Sequence, residues 1–208
     1  MSTKQPTQTR QAELVAAALA LAAERSPAEV TTGALAQAVG ITQGAVFRHF
    51  ESKEAIWLAV IDFAHQELLA RLHAAAAGQP LAALRAVFMA HVDFVVEQPG
   101  VPRVIFQELQ HPEDTPLKAR VRGLMQAYRT LLTGLLQRAQ AARLLAPGTD
   151  LQAAAVLFIG SVQGLVMQSL LSGQVGAMRQ MAPAVFDLFQ QAIAAPTAKA
   201  RRTQETPA

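Results

Sequence analysis

The 208-residue chain contains no cysteine, which excludes disulfides and thiolate metal sites and suits a reducing cytoplasm. It also lacks strand-like alternation of apolar and polar residues, and no internal repeat is visible. Catalytic motifs are missing. The run GSVQG at Gly160 to Gly164 puts its serine in the wrong place for a GxSxG elbow, and neither a phosphate-binding GxxxxGK nor a zinc-binding HExxH occurs. No catalytic residue, metal site or cofactor is therefore expected. The opening MSTKQPTQTR is polar and has no apolar core for a secretory signal, so the cytoplasm is the expected compartment.

Charge is equally uninformative by itself. The net charge of +3 is too common among soluble proteins to argue for a nucleic-acid partner. From Met1 to His73, Lys4, Arg10, Arg25, Arg48, Lys53 and Arg71 face seven carboxylates, so this part is not basic. Any DNA contact must come from placed residues and helix N-termini. Apolar residues are plentiful instead, at 51% of the chain with a mean hydropathy of +0.22. Such a surplus goes into a subunit interface or a pocket.

The most informative stretch is Thr31 to Glu54, TTGALAQAVGITQGAVFRHFESKE. Thr31 or Thr32 can cap a helix carrying Leu35, Ala36 and Val39 at helical spacing. Gly40 ends it, because the residue just past a helix commonly needs a left-handed backbone, and Ile41 plugs the corner. Thr42 can cap a second helix, with Val46 and Phe50 packed against the first. Gln43, Gly44, Ala45, Phe47, Arg48 and His49 are then left on or near open faces. Two short helices about a glycine corner make a helix-turn-helix, whose second helix enters the DNA major groove.

Thr31, Leu35, Ala36, Gly40, Gly44, Phe47, His49, Phe50, Lys53 and Glu54 fall in a register that resembles the DNA-binding signature of the TetR/AcrR family of regulators. The resemblance implies an all-α protein with a three-helix head and a larger helical domain for ligand and dimerisation. It also implies a homodimeric, cytoplasmic transcriptional regulator, a repressor released from a near-palindromic operator by a small apolar or amphipathic effector. DNA contacts are implied for Thr31, Thr42, Gln43, Gly44, Ala45, Phe47, Arg48, His49 and Lys53. The chemistry supports some of these separately: glutamine reads adenine with a bidentate pair, and Lys53 at a helix N-terminus suits a phosphate. Departures exist too. Phe47 stands where the family usually has Tyr, Ala45 where it often has Thr, and Gly33 where some members place a base-reading side chain. Fewer polar base contacts are expected as a result.

Apolar periodicity predicts helices elsewhere. One runs from Thr9 to Arg25, stopped by Ser26 and Pro27, and a long one capped by Ser52 runs toward Gly78. At about 1.5 Å per residue the latter spans nearly 40 Å, enough to link two domains. Leu81 to Gln98 is ended by Pro99, Gly100 and Pro102; a short helix follows around Val104 to Gln110, then Leu117 to Leu145. Asp150 caps Leu151 to Ser172, a segment without a charged side chain, and Pro183 is expected in the first turn of a last helix. The apolar segment is long enough for a bilayer, but Gln163, Gln168 and three serines argue against a span, so no membrane is expected. Gly160 and Gly164 would allow close helix approach, and the homodimer would form through the last two helices. The domains read as 1–54, the DNA-binding head; 55–195, the ligand and dimerisation domain; and 196–208, a disordered tail.

His91, Tyr128 and Gln163 each fall on an otherwise apolar stripe, where an unpaired polar group costs roughly 1 to 3 kcal/mol. A ligand could satisfy them, as could a neighbouring carbonyl or water. Phe88, Phe106, Met125 and Met167 could line the same pocket, although such residues are also ordinary core. Glu108 and His111 lie near one loop, but two residues do not make a metal site. The alternatives to a regulator of this kind are a helical lipid- or small-molecule-binding protein without specific DNA binding, and a membrane-anchored regulator.

Overall fold

The computed structural model describes residues 7–195; the expected disordered tail lies outside them. Nine α-helices occur among the described residues: α1 (Thr7–Glu24), α2 (Thr32–Ala38), α3 (Gln43–Val46), α4 (Lys53–Ala75), α5 (Pro80–Glu97), α6 (Gly100–Glu108), α7 (Pro116–Ala141), α8 (Leu151–Ser172) and α9 (Met178–Ile193). Short 3₁₀ turns at Pro27–Glu29 and Val175–Ala177 lead into α2 and α9. The fold is all-α, as expected. One isolated antiparallel bridge ties Leu145 to Ala194.

Most helix ends follow the sequence signals. Thr31, Thr42, Ser52 and Asp150 each accept a backbone N–H of the helix that follows. Two ends differ. Gly100 does not close α5 but opens α6, with Pro102 in the first turn, where a missing N–H costs nothing. The last helix starts earlier than expected, at Met178, so Pro183 lies inside it. Its ring removes a bond that the Arg179 carbonyl would otherwise accept. Ala182 and Phe186, both fully buried, hold the chain in place on either side.

The contacts divide the chain into two compact units. Unit 1 comprises residues up to Ala70 together with Phe94–Gln126; unit 2 comprises Arg71–Asp93 and residues from Ala127 onward. Helices α4, α5 and α7 each contribute to both. In unit 1, α1 packs on α2 and on α6. Its buried stripe Leu14, Ala18 and Ala22 repeats every four residues, one turn apart. Gly100 is required here, because a Cβ at this position would overlap the Leu19 carbonyl oxygen.

Unit 2 is built around aromatic rings. Phe158 of α8 meets Phe88, Tyr128, Phe186 and Phe189 edge-on, at centroid distances of 5.2, 6.4, 6.4 and 5.3 Å. These geometries let a ring edge face a π-cloud, the favoured arrangement for buried aromatics. Helix α8 packs against α9.

Candidate DNA-binding head and effector cluster

The corner between α2 and α3 is closed by two hydrogen bonds. The Ile41 N–H donates to the Ala36 carbonyl at 2.9 Å and the Gly40 N–H to the Gln37 carbonyl at 3.2 Å, the Schellman pattern. It needs a left-handed residue, and Gly40 supplies it at φ 68°. Leu35, Val46 and Phe50 are buried and lock the two helices together. The corner thus fixes which residues of α3 and of the turn after it remain outside.

Those residues are Gln43, Gly44, Phe47 and Arg48, all exposed, with Ala45 half-buried between them. Phe47 is 49% exposed, unusual for an aromatic ring in a monomer's own packing. Gln43 Nε2 donates to Thr32 Oγ1 at 2.8 Å, so its amide is already held by α2. Both expected cap threonines, Thr31 and Thr42, spend a side-chain lone pair on their helix N-termini. Lys53 Nζ donates to the Ala28 carbonyl at 3.1 Å, joining the start of α4 to the connector before α2. His49 is half-buried. Its backbone carbonyl accepts from Gln11 Nε2 at 2.8 Å, and its ring Nδ1 is buried without a partner. Any outward contact from this ring therefore falls to Nε2.

The expected effector residues do not all come together. His91 and Tyr128 meet in unit 2, with His91 Nδ1 at 3.1 Å from the Tyr128 hydroxyl, and Phe88 and Tyr128 both touch the Phe158 ring. Burial lowers His91 from 6.5 to about 4, so the ring is neutral, and it raises the Tyr128 phenol well above its ordinary range. Phe106 and Met125 belong to unit 1 and are half-buried there. Gln163 and Met167 correct the expectation of a buried stripe, since both lie on the exposed face of α8, Met167 at 45%. The reason is helical phase: at about 100° per residue they share a face with Val156, Gly160 and Leu171, while Phe158, Val162 and Val166 point into the core.

Several features went unread in the sequence. Glu108 is buried and accepts the Thr115 hydroxyl. Gln107 Oε1 accepts from the Ala28 N–H at 3.0 Å and from Ser26 Oγ at 3.2 Å, fastening α6 to the connector before α2. Only the burial of Val101 and Val104, one helical turn apart along α6, could have hinted at that docking. Among the described residues no group of three or more His, Asp or Glu side chains is arranged to hold a metal ion.

A glycine-cornered helix pair with an exposed second helix, followed by an all-helical remainder, defines a helix-turn-helix regulator. Residues 14–60 match the family described as bacterial regulatory proteins, tetR family, and residues 80–185 match the tetracyclin repressor-like C-terminal domain. The second match covers just over half of the chain. The protein belongs to the TetR family and is a DNA-binding transcriptional regulator.

Among curated relatives, it is 26% identical over 152 residues to the nucleoid occlusion factor SlmA of Marinomonas sp. (strain MWYL1), covering 72% of this chain and 77% of that one. It is 32% identical over 110 residues to SlmA of Actinobacillus pleuropneumoniae serotype 5b (strain L20), where the match spans 52% of this chain and 54% of the relative. Among solved structures, the fold is shared with FadR of Bacillus subtilis in complex with stearoyl-CoA. That likeness has a TM-score of 0.75 at 17% identity, over 86% of this chain and 96% of that one. The ketosteroid regulator KstR2 of Mycobacterium tuberculosis gives 0.76 at 20% identity, over 90% and 96%.

Proposed function

We propose that this protein is a homodimeric repressor that leaves a near-palindromic operator when a small apolar or amphipathic effector binds. The observation that carries this reading is the exposed surface of α3 and the turn after it, where Gln43, Gly44, Phe47 and Arg48 are exposed on a corner locked by Gly40. In this reading Gln43 exchanges its Thr32 hydrogen bond for a base edge, Ala45 meets a thymine methyl, and Lys53, His49 Nε2 and Arg48 take phosphates. Thr31, Thr42 and Gly44 lie beside them and set how closely the backbone approaches.

The dimer forms through α8 and α9. Val156, Leu157, Met167 and Leu171 of α8 and Met181 and Leu188 of α9 are all between 45% and 75% exposed. Gly160 and Gly164 lie on the same side of α8, and a Cβ added to either would meet nothing outside that helix within 4 Å. By length and composition α8 is apolar enough to cross a membrane, with 44% of its most apolar stretch buried within the protein. A second copy of the chain covers the same face without a bilayer, and two heads then sit roughly 34 Å apart on DNA.

The effector would bind in unit 2 near Phe88, His91 and Tyr128, and α4, which contributes to both units, would carry the change to the head. Only an effector with different affinity for the two states can shift them. That the FadR structure holds stearoyl-CoA supports an apolar body for the effector.

The test is a gel shift with DNA from upstream of the protein's own gene, with and without effectors found by thermal shift. Sequence-preferring, salt-sensitive binding that an effector relieves is the expected result. Binding that is equal on random DNA overturns the operator reading.

A further inference from the structure

Unit 1 holds a cavity of about 300 Å³ that shares only Lys53 with the DNA-reading surface. Its apolar walls are Pro27, Trp57, Val104 and Leu117, and Glu108 and Thr115 supply polar groups. Glu108 is only 8% exposed. A carboxylate so far from water normally takes an ion pair or several N–H donors, because desolvating the charge is costly. Here the Thr115 hydroxyl is its one hydrogen-bond partner among the described residues.

Three neighbouring groups are committed elsewhere, while the exposed Glu54 and His111 complete the polar part of the wall. Thr115 Oγ1 accepts the Lys118 N–H at 3.0 Å as the cap of α7, which turns its proton toward Glu108. Gln107 is bonded to the connector, and Lys53, the nearest ammonium on the cavity wall, donates to the Ala28 carbonyl at 3.1 Å. A metal ion is a poor fit, since no group of three potential His, Asp or Glu ligands exists among the described residues. What the cavity offers is a buried, under-partnered carboxylate, Glu108, with a second carboxylate, Glu54, on the wall, beside the Trp57 indole and aliphatic side chains. That combination suits an ammonium carried on an apolar body, which gains a charge-assisted hydrogen bond and a cation–π contact together.

We propose that this cavity binds a small organic cation, its ammonium on Glu108 and its body against Trp57, Val104 and Leu117. The site lies in unit 1, apart from the His91 and Tyr128 cluster of unit 2, so it does not depend on the effector reading above. Its walls include both Pro27, ahead of α2, and Lys53, at the start of α4. Occupancy therefore touches the two segments that flank the helix-turn-helix.

Trp57 is the chain's only tryptophan, so its emission reports the cavity directly. The full-length protein, without DNA, is titrated with phenethylammonium, 2-phenylethanol and 3-phenylpropionate, followed by fluorescence and by calorimetry. The cation should bind saturably and at least about tenfold more tightly than the alcohol, with the anion weakest. Glu108→Gln should remove that preference and leave the alcohol's affinity unchanged. Equal binding of the three probes to wild type overturns the proposal, as does undiminished cation binding by a folded Glu108→Gln variant. If that variant does not fold, the wild-type comparison of the three probes decides alone.

Discussion

His91 Nδ1 and the Tyr128 hydroxyl lie 3.1 Å apart, their rings edge to face at 5.2 Å, with Tyr128 wholly buried. Each polar group satisfies the other where water does not reach, so the pair answers the cost that a lone histidine or tyrosine would carry on an apolar stripe. The same burial keeps His91 uncharged down to about pH 4.

That depression makes stability depend on pH. Between the ordinary value of 6.5 and about 4, the unfolded chain binds a proton that the folded chain refuses, so stability rises with pH across this window. The contribution is complete above 6.5 and is lost as pH falls through the folded value, amounting to about 3 kcal/mol. Urea unfolding at pH 7 and pH 4.5 should show most of this difference in wild type and much less in His91→Leu. An unchanged pH slope in the variant would assign it to other groups.

In the head, Gln43→Ala should alter which operator bases matter, whereas Lys53→Ala should weaken all sequences alike and lower the salt dependence. Binding of both variants to a panel of operator variants and to random DNA separates the two effects. Equal losses on specific and random DNA for both variants would refute the division of roles.

Phe47 is half exposed beside Arg48 and carries no hydroxyl. Phe47→Tyr should add a phosphate contact and tighten DNA binding by roughly two- to tenfold, the worth of one hydrogen bond. Fluorescence anisotropy with a labelled operator measures it; no gain would mean that the ring faces a base or solvent instead.

Gly100→Ala tests the approach of α6 to α1. A Cβ overlapping the Leu19 carbonyl oxygen forces the backbones apart, because the obstacle is main chain and not a flexible side chain. A loss of about 1 to 3 kcal/mol is expected by thermal or urea denaturation. A variant as stable as wild type would show that the two helices separate without cost.

Leu171 and Leu188 are the most exposed leucines, at 75% and 67%. Leu171→Glu with Leu188→Glu should yield a monomer by light scattering, with little loss of monomer stability, since both side chains are mostly exposed. DNA affinity should fall steeply as paired half-sites are lost. A double variant that remains dimeric would place the interface elsewhere.

Much of this protein was legible in the chain because the relevant interactions are local. Thr31, Thr42, Ser52 and Asp150 cap helices through atoms two or three residues away, and Gly40 turns the corner by its own backbone. Such features travel with the sequence. The helix-turn-helix and the all-α class follow from them, together with the apolar spacing.

The tertiary structure alone decided the rest, since it depends on which face of each helix meets which neighbour. Gln163 and Met167 read as buried and are exposed, because apolar α8 carries two apolar faces and periodicity does not say which one the chain covers. Gly100 and Pro102 read as the end of one helix and proved to begin another, placed by the contact of α6 with α1. His49, expected to face outward, turns Nδ1 inward, and Glu108 is buried beside Thr115. Local chemistry set the caps, the corner and the helices; long-range packing decided which polar groups ended up buried and whom they met.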